Sequence, residues 1–108
     1  METIRIVLCT FPGLVEARQI GTSLVEKQLA ACVNLIPAVE SIYRWQGKIE
    51  TDTEVLAVFK TSAAALPWFR TALAELHPYE VPEIVAIEPA EVADDYKAWL
   101  LGEITQQD

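Results

Sequence analysis

One histidine, one methionine, two cysteines and four glycines are all this chain carries of those residue types, and each scarcity closes a class of explanation. Cys9 and Cys32 cannot build a disulfide framework, and no CxxC pair occurs, so a reducing, cytoplasmic setting is expected. The apolar run Ile6-Val7-Leu8-Cys9 is too short for a signal-peptide core or a membrane span, so neither a targeting segment nor membrane association is expected. Basic residues number only 8 against 16 acidic ones, a net charge of −8. Phosphate-backbone binding draws on clustered Lys and Arg, so nucleic acid is not an expected partner. Cations suit this surface better than anions.

What is present is a core. Hydrophobic residues fill 52% of 108 positions, which excludes disorder and suits one domain over residues 1–108. Residues 4–10 form a dense, β-branched apolar run, the pattern of a strand covered on both faces. Over residues 15–29, Ala17, Ile20 and Leu24 keep helical spacing, and Leu29 follows Val25 by one turn. Residues 31–43 read as a strand, in which Pro37 requires an edge or a bulge because it has no N–H to donate. Trp45-Gln46-Gly47-Lys48 is a tight turn with Gly47 at positive φ, and residues 49–60 return as a strand. Leu66, Phe69, Leu73 and Leu76 mark a second helix that starts late, so that Pro67 falls in its first turn. Residues 84–87 make a short strand. Val92, Tyr96, Trp99 and Leu100 mark a terminal helix closed by Gly102.

This order predicts an α+β, ferredoxin-like βαββαβ fold: an antiparallel sheet in order 4-1-3-2, with an extra C-terminal helix. The return strand is long for the domain. About 12 residues span roughly 40 Å, against a radius of gyration near 13 Å for a chain this size. A long hairpin should therefore protrude, with Tyr43 and Trp45 at its far end. An overlong hairpin and an uncovered apolar face together predict a closed ring of identical subunits.

Chemistry-bearing residues are few. Cys9, near the end of the first strand, and His77, entering the fourth, fall at the same end of adjacent antiparallel strands. A thiolate and an imidazole together favour copper or zinc. Cys32 lies at the opposite end, two strands away. The residues leave two readings of the pair open: metal ligands, or a small buried hydrophobe beside a strand-entry histidine bonded to backbone. As a nucleophilic dyad the pair lacks the electropositive, accessible setting a thiolate needs, so catalysis through it is not expected, and no organic cofactor is expected either. Glu50 with Asp52, and Asp94 with Asp95, read as solvated faces.

Leu29-Ala30-Ala31-Cys32-Val33-Asn34, Tyr43-Arg44-Trp45-Gln46-Gly47-Lys48-Ile49-Glu50, Lys60-Thr61, His77-Pro78-Tyr79-Glu80-Val81-Pro82-Glu83-Ile84 and Tyr96-Lys97-Ala98-Trp99-Leu100 follow one another at telling spacings. Together they closely resemble the CutA family of divalent-cation tolerance proteins. The resemblance implies a homotrimer similar in assembly to the PII signalling proteins, a role in tolerance of copper and other divalent cations, and no firmly assigned enzymatic activity. Its copper-ligand positions correspond to Cys9 and His77. Some relatives have a further histidine where this chain has Leu76, so copper affinity is expected to be modest. A PII-like alternative is a sensor whose inter-subunit clefts take a small anionic ligand, with Tyr43, Trp45, Lys60, Tyr79, Glu80, Tyr96 and Trp99 as candidate lining.

Overall fold

The computed structural model describes residues 2–105. Its elements run β1 (Ile4–Phe11), α1 (Leu14–Glu26), β2 (Cys32–Trp45), β3 (Lys48–Ser62), α2 (Leu66–Leu76), β4 (Val85–Ile87) and α3 (Asp94–Gly102). The sheet order is β2-β3-β1-β4, and every neighbouring pair is antiparallel. The expected α+β fold and strand order are therefore the observed ones.

Alternation along the strands separates the two faces of the sheet. Val7, Cys9 and Phe11 of β1, with Val55, Ala57 and Phe59 of β3, turn towards the helices and are buried. They pack with Ala17, Ile20 and Leu24 of α1 and with Phe69 and Leu73 of α2. Phe59 and Phe69 meet edge-to-face with ring centroids 5.0 Å apart. A smaller cluster of Ile4, Ala31, Ala65, Leu100 and Ile104 seats α3. The other face corrects the expectation that the first strand is covered on both sides. Ile6, Leu8 and Thr10 are only half-buried there, and Ile36, Val85 and Ile87 beside them are exposed.

Local backbone explains three further differences. α1 stops at Glu26 instead of reaching Leu29, because Gln28 turns left-handed at φ 58° and the Leu29 N–H returns to the Leu24 carbonyl at 3.1 Å. The ladder of β2 and β3 shifts between Ile36 and Val39, where Ala38 sits at φ 62°; Pro37 thus occupies a bulge. At the hairpin tip, Gln46 shares the left-handed region with Gly47, at φ 49° and 80°. That pair supplies the twist a two-residue turn needs.

The hairpin projects. Pairing of β1 with β3 ends at Phe11 and Val55, so residues 48–54 of β3 pair with β2 alone. The molecule measures 44 × 26 × 22 Å. Trp45 near the tip is 51% exposed, and Ile42 and Ile49 are exposed more fully.

Candidate functional site

Cys9 and His77 do converge, and the group they share is the Thr10 carbonyl. The His77 ring nitrogen Nε2 lies 2.8 Å from that oxygen, and the Cys9 thiol points at it from 3.8 Å. The other ring nitrogen, Nδ1, accepts the backbone N–H of Tyr79 at 3.0 Å. An acceptor nitrogen carries no proton, so Nε2 carries it and donates to Thr10. Phe11 stacks on the imidazole with centroids 4.6 Å apart and 18° between the planes, and Tyr79 leans on it from 4.8 Å. α2 ends with the His77 N–H bonded to the Leu73 carbonyl, which fixes where the ring enters.

Burial governs the electrostatics. The Cys9 thiol, wholly shielded on the helix side, is pushed up to about 12, first by desolvation and then by the charges of Glu83 and Glu54. Burial also lowers His77 below the usual imidazole range, opposed in part by the Thr10 hydrogen bond and the Glu54 charge. Both groups are thus held neutral. Tyr79 donates its hydroxyl hydrogen to Glu54 at 2.6 Å, and desolvation followed by that bond raises its phenol. Tyr43 makes the corresponding contact with Asp52, the main cause of its rise to about 12.

A ligated metal needs a lone pair from the imidazole and a deprotonated thiol. Here the Nδ1 lone pair is engaged by the Tyr79 N–H and the Cys9 thiol is buried and protonated, so a cation would have to displace the one and deprotonate the other. Among the described residues, no three of His, Cys, Asp and Glu come together as a metal-holding group. The donor set at Cys9 and His77 does not fit a resident cation.

The candidate cleft residues separate into groups within one chain. Lys60 bonds the Asn34 side-chain oxygen on the open sheet face, and directly across the ladder from it stands Cys32. Cys32 Sγ lies 3.8 Å from the Tyr96 hydroxyl, and Tyr96 packs on Trp99 with centroids 5.6 Å apart. Desolvation, with the Cys32 contact second, raises the Tyr96 phenol. Tyr79 stands at the root of the hairpin beside the exposed Glu80. Tyr43 and Trp45 belong to its tip, where Tyr43 faces Glu50. Glu50 is roughly 34 Å along β3 from Lys60, so one chain does not bring all of these groups together.

Three contributors escaped the sequence reading: the Thr10 carbonyl, Glu54 and Asn34. Glu54 follows Glu50 and Asp52, the pair read as a solvated face, at the same two-residue spacing along β3. Its link to Tyr79 spans 25 positions and leaves no periodic trace.

Comparison with known proteins gives consistent likenesses. Residues 5–103 match the family model described as CutA1 divalent ion tolerance protein. The chain is 48% identical over 95 residues to the divalent-cation tolerance protein CutA of Thermus thermophilus, covering 88% of this chain and 92% of that protein. It is 44% identical over 91 residues to protein CutA of Mus musculus, covering 84% of this chain but spanning only 51% of the mouse protein. Among solved structures, the Thermus thermophilus divalent cation tolerance protein superposes with a TM-score of 0.91 at 46% identity, covering 97% of this chain and all of that one. CutA1 from Oryza sativa superposes at 0.94 with 31% identity, over 97% and 96% of the two chains.

Proposed function

This chain belongs to the CutA1 divalent ion tolerance family, and from that premise we propose that it serves tolerance of divalent cations as a non-catalytic homotrimer of the cytoplasm. The observation that carries the assembly is the projecting hairpin together with the open apolar face. Ile42, Trp45, Ile49, Ile36, Val85 and Ile87 are all exposed in the single chain. Exposed apolar area of that extent is what a closed ring of copies would cover. No helix among the described residues is long and apolar enough to cross a membrane. A thiol held near 12 and a neutral, doubly bonded imidazole supply no nucleophile or poised base, which supports a role without turnover.

Within that role the ligand is copper or a similar divalent cation, bound weakly. A tight site asks for three or four converging protein ligands. Titration of the assembled protein with Zn2+, and with Cu(I) under reducing conditions, tests this alongside growth of a copper-sensitive host expressing the chain. Weak binding together with improved growth supports the proposal. No growth effect and no binding of either ion would remove it.

A second reading has its own observation. Lys60 bonds an amide oxygen and, among the described residues, no carboxylate, on the same face as Tyr96 and Cys32. A hairpin from a neighbouring copy could bring Tyr43 and Trp45 towards it. That arrangement suits a PII-like cleft for a small anionic ligand. A screen of nucleotides and carboxylates, compared with Lys60→Ala, decides it: binding lost in the variant favours the sensor, and no binding in the parent excludes it.

A further inference from the structure

We propose that His77 is a structural latch and not a metal ligand: its neutral ring, held in the Nε2–H form, ties the Thr10 carbonyl at the end of β1 to the backbone N–H of Tyr79 and so seats Tyr79 on Glu54 at the root of the hairpin. The inference concerns the chain's own hydrogen bonds and stands whatever ion the assembly meets.

The geometry allows one proton arrangement. Tyr79 N–H points at Nδ1 from 3.0 Å, so a proton on Nδ1 would set two donors against each other. With Nδ1 committed as acceptor, Nε2 must be the donor, and a carbonyl acceptor lies 2.8 Å away. A cation at Nε2 would have to displace the Thr10 carbonyl and drive the proton to Nδ1, breaking the Tyr79 bond as well. A cation at Nδ1 would have to displace the Tyr79 N–H directly. Phe11 and Tyr79 cover the ring, and His77 is 7% exposed, so few positions are left for an ion to approach. Cys9 offers no compensation, because its thiol is shielded within the core that Phe11, Phe59 and Phe69 share.

The same contacts say what the ring does hold. Residues 77–83 carry two prolines, Pro78 and Pro82, and no regular secondary structure, so few backbone bonds pin this stretch. His77 supplies two bonds at its start. Tyr79, oriented by the second of them, reaches Glu54 on β3. The latch therefore joins β1, the loop and the hairpin root through the Thr10 backbone carbonyl and the side chains of His77, Tyr79 and Glu54.

His77 is the chain's one histidine, so its ring nitrogens can be read without ambiguity in the intact protein. Long-range proton–nitrogen NMR on the full chain should show the Nε2–H form, unchanged when Zn2+ or, under reducing conditions, Cu(I) is added. An Nδ1–H form, or a metal-induced shift at either ring nitrogen, would overturn the proposal. Variants separate the roles. His77→Asn keeps an oxygen able to accept the Tyr79 N–H in an Asx turn, so Tyr79 amide exchange should stay near the parent rate, while His77→Ala should speed it by roughly tenfold. Chelator competition should give the same affinity for both ions in the parent, Cys9→Ala and His77→Asn. A loss of about tenfold or more in both variants, with fold and assembly intact, would restore the pair as ligands.

Discussion

Tyr79 gives its hydroxyl hydrogen to the Glu54 carboxylate across 2.6 Å, and this one bond spans the gap between the proline-rich loop after α2 and the strand that becomes the hairpin. Glu54 is the last β3 residue before pairing with β1 begins, so the bond braces the hairpin where the sheet narrows from three strands to two. Tyr79→Phe removes the donor and keeps the ring. The expected loss is about 1–2 kcal/mol, the range of a hydrogen bond to a charged acceptor at a half-covered site. Urea midpoints of the two proteins, compared at equal chain concentration, check it.

Trp45 should matter to assembly far more than to the fold of one chain. It is half-exposed near the hairpin tip, away from both core clusters. Trp45→Ala is expected to weaken the trimer by roughly a few kcal/mol if the indole fills a neighbour's pocket. Sedimentation at micromolar concentration should show a trimer for the parent and smaller species for the variant. A parent that sediments as a compact monomer refutes the assembly.

The two cysteines are free, and they should remain unpaired because Cys9 and Cys32 sit on different strands with β3 between them. Cys9 should also resist alkylation until the protein unfolds. Its thiol is shielded and held near 12, so almost no thiolate exists at pH 8. Iodoacetamide labelling read by mass spectrometry, with and without urea, tests both statements. Rapid modification of Cys9 in the native protein contradicts the buried placement.

At the hairpin tip Gly47 holds φ 80°, a region where a β-branched residue is strained. No atom outside its neighbours lies within 4 Å of where a Cβ would stand, so the penalty is conformational and not a clash. Gly47→Val should destabilise by about 1–2 kcal/mol. Gly47→Asn should lose less, since Asn tolerates this region. Thermal unfolding of the pair against the parent gives the order.

His77 predicts a pH dependence whose sign follows from burial. The unfolded chain takes up the imidazole proton near 6.5, and the folded chain does so only at lower pH. The neutral ring therefore contributes its full stability above about 6.5, and that contribution is lost as the pH falls through the lower folded value. Urea midpoints from pH 7.5 to 5 should decline more steeply for the parent than for His77→Asn, which has nothing to titrate there. Parallel curves would show that the ring stays solvated.

Much of this architecture was legible before any coordinates. The apolar periods of residues 4–10 and of Leu66, Phe69, Leu73 and Leu76 are local, and local periodicity decides element type by deciding which face can be buried. The right-handed crossover then leaves one sheet order for the element sequence. Pro37 announced its bulge because a missing N–H can be tolerated in few places, and the length of the return strand announced the projection. The early end of α1 at Gln28 was not legible, since a left-handed glutamine has no reliable composition signal. An uncovered apolar face was legible, but that the first strand lines it was not, because a run of β-branched residues looks the same whether a helix or a second copy covers it.

The candidate site divides along the same line. The meeting of Cys9 and His77 at one end of the sheet follows from strand order alone. What the imidazole does there does not. Its proton form depends on bonds of 2.8 and 3.0 Å, the first to a carbonyl 67 positions away. The placing of Tyr79 on Glu54 and of Cys32 beside Tyr96 likewise joins residues 25 and 64 positions apart. Sequence pattern carries the period of a helix or strand because neighbours along the chain share one backbone geometry. Hydrogen-bond partners share only a place in space, and the tertiary structure alone decides that place.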